Sequence, residues 1–150
     1  MASDTSTAQF TAKGKVTSVR DDGHVVVFAP ANTNYEIHLT SAEGKYVGPI
    51  GKPVEGIIRA KARKVWTVAS GGNFISPLFG EPRTIQGRVR ATPSDETLIV
   101  HAGTDFHLEL PGNGIGVDLT AGPIRAGVMV NVMAMPAPTC ELATIAAVAR

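Results

Sequence analysis

Apolar residues along this chain recur at every second position far more often than at helical spacing, and the runs are short. KGKVTSV (13–19), HVVVFA (24–29) and YEIHL (35–39) each read as a strand, separated by the turn signals DDG (21–23) and PANTN (30–34). In YEIHL, Tyr35, Ile37 and Leu39 fall on one face. TSAEGKYVGPIGKP (40–53) is irregular, and its TSAE has the form of a cap that predicts one helical turn ended by Gly44. VEGIIRAKA (54–62) then predicts a long strand, and RKVWTVA (63–69) continues it past a bend as a fifth. Within 54–62, Val54, Gly56, Ile58, Ala60 and Ala62 face inward, while Glu55, Ile57, Arg59, Lys61 and Arg63 face outward.

The second half repeats the first. KGKV (13–16) answers to QGRV (86–89), VVFAP (26–30) to IVHAG (99–103), and YEIHL (35–39) to FHLEL (106–110). GPI at 48–50 recurs at 122–124, each time just before a valine-led strand. The offsets stay between 71 and 74 residues and vary only where loops absorb insertions. Two strands, a third, an irregular excursion and a long bent strand describe a small five-stranded Greek-key barrel of the oligonucleotide/oligosaccharide-binding kind. The expected fold is therefore all-β, with two tandem OB-like barrels produced by internal duplication. Residues 1–9 are expected to be a disordered arm, 10–79 the first barrel and 80–150 the second. The junction GGNFISPLFGEPRTIQG (71–87) is too apolar for a free linker, so it should pack around a short strand at 73–78.

KGKVTSV (13–19) also resembles the opening strand of the molybdate-binding Mop module, a TOBE-like barrel of this size that occurs in tandem. TSAEGKYVGPIGKPVEGIIRAKARKVWTV (40–68) resembles that family's passage through a G-x-x-V turn into its last strands, with Lys61-Ala62-Arg63 at its Lys-Ala-Ser-like corner. The resemblance implies tandem OB-like barrels and a small oxyanion held near Thr40, Lys61 and Arg63. The Ser-Ala-Arg-Asn with which the family opens its first strand has no counterpart in AQFTAKG (8–14) or EPRTIQG (81–87).

Composition agrees with many short strands. Gly 16 and Pro 10 supply turns, and the 43% hydrophobic fraction is ample for a core. The net charge of +1 conceals an uneven spread: between Lys45 and Arg90 lie nine cations and only Glu55 and Glu81, so carboxylates dominate elsewhere. A basic middle points to an anionic partner. Arg59, Lys61, Arg63 and Lys64, with Trp66 following and Arg83 beyond, interleave charge and aromatic surface as single-stranded nucleic acid binding requires. The equivalent strand of the second half is apolar on both faces: Val128, Val130, Val132 and Ala134 form one, and Met129, Met133 and Met135, interrupted by Asn131, the other. Such a strand is buried on both sides, so these methionines are expected at an interface and the protein is expected to be a homo-oligomer.

Catalytic groupings are missing from the pattern. No nucleophile elbow, phosphate loop or paired carboxylates stand out, so a non-enzymatic protein without cofactor is expected. Glu36 with His38, and His107 with Glu109, share strand faces, which predicts solvent-facing residues rather than a metal site. Cys140 is the only cysteine and is read as a packing residue, with neither disulfide nor zinc cluster available. MASDTSTAQF lacks the features of a secretory signal, and no run approaches the ~18 apolar residues of a membrane span, so the default expectation is cytoplasmic with no membrane partner.

Overall fold

The computed structural model describes residues 10–42, 44–69, 71–77, 79–94, 96–110, 117–118, 122–135 and 141–147. The expected arm at 1–9 and Cys140 lie outside them. The described residues form strands and a single 3-10 turn, Asp21–Gly23, without an α-helix. In chain order the strands are β1 (Ala12–Arg20), β2 (Val25–Pro30), β3 (Glu36–Ser41), β4 (Pro53–Val68), β5 (Phe74–Ser76), β6 (Phe79–Gly80), β7 (Thr84–Ser94), β8 (Thr97–His101), β9 (Asp105–Glu109), β10 (Val117–Asp118), β11 (Met129–Ala134) and β12 (Glu141–Ala147). All twelve belong to one mixed sheet. The helical turn expected at 40–43 is not formed: Ser41 continues β3, where its ladder to Leu142 extends the strand past the local capping signal.

β4 organises this sheet. Its start pairs antiparallel with β1 (Ala12↔Gly56) on one edge and with β12 (Glu141↔Arg59, Leu142↔Ile58) on the other. Its middle pairs parallel with β9 (Ile58↔Phe106 through Lys61↔Glu109), and its end pairs antiparallel with β11 (Met129↔Val68 through Ala134↔Ala62). The strand and its expected fifth-strand continuation are therefore one 16-residue element, with a contour of about 50 Å at ~3.3 Å per residue. The bend expected near residue 63 is a β-bulge: the register slips between Met133↔Lys64 and Ala134↔Ala62, which leaves Arg63 as the extra residue. Alternation shifts there, so Arg63 and Lys64 are both exposed and Val65 and Thr67 then face the interior.

The pairings return on themselves twice. One circuit runs β1–β2–β3–β12–β4 and back to β1; the other runs β7–β8–β9–β4–β11 and back to β7. The first takes β12 from the C-terminal end of the chain. The second takes the later part of β4 from the first half. Ladder pairing thus crosses the sequence boundary at 79/80 in both directions. The interiors are continuous as well: Val16, Phe28, Ile37, Leu39 and Leu142 join through Ile58 and Ala60 to Val65, Ile85, Val100, Phe106, Leu108 and Val132 in one buried cluster.

Gly14 and Gly87 occupy matching places in β1 and β7 and explain how the adjoining strands close up. A side chain at Gly14 would run into the Ala29 carbonyl oxygen, and one at Gly87 into the carbonyl of His101. The crossing of halves also makes a specific prediction. Leu142 is buried against strands of the first half, so Leu142→Ala should cost about 2–5 kcal/mol in denaturant unfolding. Native-state hydrogen exchange should show faster opening of β3 and the start of β4, although the substitution lies in the second half.

Candidate functional site: the crossing strand and its two outer faces

The outward residues of β4 alternate with its buried ones, so the ladder places Arg59, Lys61, Arg63 and Lys64 at the surface, all exposed. Arg59 and Lys61 are positioned by neighbours in register. Arg59 lies between Glu141 of β12 and His107 of β9, and Lys61 lies beside Glu109, with Thr97 of β8 one strand further. A cleft of about 360 Å³ opens here, lined by Arg59, Lys61, Thr97 and His107 but also by Glu96, Glu109 and Glu141. Among the described residues, none of these cations and carboxylates forms an ion pair with another. Thr40 does not join Lys61 and Arg63. It pairs with Glu141, which stands between it and Arg59.

His107 departs from the solvent-facing position expected for it: only 8% is exposed. The backbone leading into β1 covers it. The Phe10 carbonyl lies 2.6 Å from His107 Nε2; a carbonyl only accepts, so Nε2 carries the proton and donates. The Phe10 ring packs against Arg90, with the guanidinium carbon 5.4 Å from the ring centre, and the Thr11 hydroxyl donates to the Glu55 carboxylate. Beneath this strap, Asp105 is buried and accepts from Arg90 Nη1 at 3.3 Å and from His101 Nδ1 at 2.8 Å. Periodicity could not reveal the strap, because it depends on residues nearly a hundred positions apart.

Burial pulls the His107 pKa below its ordinary 6.5, and Arg59 adds to the effect, while the Phe10 hydrogen bond and Asp105 oppose it. His38 is lowered too, first by burial and then by Arg20, with Glu36 and Glu81 opposing. Its ring meets Phe79 edge to face at 5.0 Å.

A second outer surface lies past the bulge. The register aligns Trp66 of β4, Asn131 of β11, Gln86 of β7 and Phe74 of β5 in one row across four adjacent strands. Their inward counterparts Val65, Val132, Ile85 and Ile75 form the buried row directly beneath. Asn131 Nδ2 donates to Gln86 Oε1, and Gln86 Nε2 donates to the Gly72 carbonyl, both at 2.8 Å. Since that carbonyl only accepts, both amide orientations are set, and Asn131 Oδ1 ends the series as a buried acceptor without a donor. Phe74 is exposed and Trp66 half-buried, while Gln86 between them is buried against the Gly71–Gly72 backbone. Arg83 is exposed just before β7, where its backbone bonds to Ser76 and Ala134.

The methionines are not equivalent. Met129 is 5% exposed, Met133 half-buried and Met135 exposed. Gln86 and the role of Asn131 escaped the sequence reading, since one sits in a glycine-marked strand start and the other looked like a break in the methionine row. Among the described residues no cluster of His, Cys, Asp and Glu could hold a metal ion, and no helix is long and apolar enough to cross a membrane. No protein-family model, curated protein or solved structure matches this chain.

The two lowered imidazoles set the direction of a pH effect. Folding weakens their proton affinity, so the unfolded chain binds more protons near and below pH 6.5. Their contribution to stability is complete above that pH and is lost as acid is added below it. Thermal melts should show Tm falling as pH drops from 6.5 towards 5. His107→Gln, which keeps a donor for the Phe10 carbonyl, should shrink that fall; an unchanged acid profile would contradict the assignment.

Proposed function

We propose that this chain is a non-enzymatic binding and assembly protein. Its two halves form small OB-like barrels that exchange their last strands and are thereby fused rigidly, and its ligand is single-stranded nucleic acid. The observation that carries this reading is the exposure of Arg59, Lys61, Arg63 and Lys64 along the one strand hydrogen-bonded into both circuits, without an ion pair among the described residues. Cations fixed on a strand paired along both edges keep their spacing when a polyanion docks, and Trp66 follows them on the same strand.

The matching glycines, the repeated order β1–β2–β3 and β7–β8–β9, and the reciprocal crossing of β4 and β12 support the duplicated-barrel architecture that the Mop resemblance implies. The surroundings of Lys61 favour a polymer over a small oxyanion. The cleft that holds Arg59 and Lys61 is lined by three carboxylates as well, Glu96, Glu109 and Glu141, whereas a polymer reaches the exposed Arg63 and Lys64 outside it. Assembly is supported by exposed apolar side chains, namely Val47 at 91%, Phe79 at 57% and Ile50 at 51%.

Fluorescence anisotropy with a short labelled single strand at low salt tests the ligand. Binding should weaken steeply as salt rises, each phosphate contact contributing about 0.7 to the log–log slope, and Arg63→Ala with Lys64→Ala should weaken it further. No binding at low salt ends the nucleic-acid reading. Light scattering at tens of micromolar should give a multiple of 15.7 kDa; a clean monomer removes the assembly half.

A further inference from the structure

We infer that the single strand lies not along the cleft at Arg59 and Lys61 but on the outer face of β4, β11, β7 and β5, where its bases stack on Trp66 and Phe74. This rests on the nucleic-acid reading above and gives it a location.

Three observations separate the two surfaces. The first is charge. The cleft carries Glu96, Glu109 and Glu141 against Arg59 and Lys61, so carboxylates outnumber cations where a phosphate chain would lie. The β4, β11, β7 and β5 segments of the other face (64–68, 129–134, 84–88 and 74–76) contain no acidic residue, and the single acid that β10 adds is Asp118, in register with Trp66. They carry Lys64 and Arg88 in the rows on either side of the aromatic row, with Arg63 exposed on the bulge beside them. Arg88 is also oriented, its Nη1 donating to the Gly127 carbonyl at 3.0 Å.

The second is the presence of ring surface. Trp66 and Phe74 mark the two ends of one row, three strand intervals apart. At ~4.8 Å per interval they stand about 14 Å apart, roughly the length of four stacked nucleotides at 3.4 Å each. The cleft at Arg59 is lined by no aromatic residue apart from the covered imidazole of His107.

The third is the floor between the rings. Asn131 and Gln86 are locked together and to the Gly72 carbonyl, and the backbone at Gly71 passes so close to Gln86 Nε2 that a side chain there would collide with it. Both rings thus flank a part of the sheet whose polar side chains are held in place, and the register fixes the spacing of the positions that carry them. Stacking on rings is tolerant of sequence because every base presents a π face.

The test uses the full chain and an oligothymidylate of about ten nucleotides at low salt. Trp66 is the only tryptophan, so its emission reports on this face directly. Binding should quench it. Phe74→Ala should weaken binding about tenfold, and Lys64→Ala with Arg88→Ala should lower the salt slope by about 1.4. Trp66→Phe should retain binding where Trp66→Ala loses it, and Arg59→Ala with Lys61→Ala should lower affinity less than Lys64→Ala with Arg88→Ala does. Melting curves of each variant separate lost binding from lost fold, and exposed Phe74 gives a substitution the core does not feel. Binding without quenching, unaffected by Phe74→Ala and abolished at Arg59 and Lys61, overturns the placement and leaves the nucleic-acid reading intact. Equal binding of heparin with no change in Trp66 emission also overturns it, as charge alone would then account for the affinity. No binding of the wild-type protein defeats both.

Discussion

A buried strand cannot leave its N–H and C=O groups unpaired, and on β4 that requirement extends over 16 residues. No single neighbour is long enough to serve it. β1 and β12 pair with its beginning, β9 with its middle, and β11 and β10 with its end. From this follows the crossing of the two halves. A strand that begins among β1 and β12 and ends among β9 and β11 carries the chain from one hydrogen-bonded circuit into the other, and β12 returns to occupy the corresponding place in the first. Ile58 and Ala60 then lie where the two interiors meet, which is why the apolar residues of both halves form one cluster.

The same strand distributes the charge. Alternation keeps small and aliphatic residues inside and puts Arg59 and Lys61 outside, and the bulge at Arg63 adds two successive outward cations before alternation resumes. What those cations can do depends on strands from elsewhere in the chain. β9 and β12 bring Glu109 and Glu141 beside Lys61 and Arg59, whereas β11 and β7 bring only neutral side chains and Arg88 beside Lys64 and Trp66. The basic stripe is thus divided, with Arg59 and Lys61 beside Glu141 and Glu109, and Lys64 on a face of rings and amides where the acid in register is Asp118 of β10, opposite Trp66.

The chain before β1 and the two-residue strand β6 act as covers. Phe10 and Thr11 cross the outer face of the second circuit and seal His107, and Phe79 packs against His38 on the first. Burial lowers the proton affinity of both histidines, although only His107 is nearly fully covered. The lowered proton affinity of His107 therefore comes from contacts far apart in sequence, although both histidines sit in ordinary alternating strands.

The amino-acid sequence by itself determined the all-β character, the positions of most strands, and the inward and outward sets of residues 54–63, because period-two alternation and glycine or proline punctuation are local properties. It also singled out Arg59, Lys61, Arg63, Lys64 and Trp66, since charge and aromaticity are visible residue by residue. Only the tertiary structure decided which strands pair. The ladder of β4 with β9 joins residues about fifty apart, and that of β3 with β12 joins residues about a hundred apart, so no local pattern encodes them. Those pairings place Glu109 and Glu141 beside one group of cations, and place Asn131, Gln86 and Phe74 beside Trp66. Part of the candidate site was legible as a list of residues. Its division into two faces was not, because what a side chain meets across a sheet is set by register between distant strands.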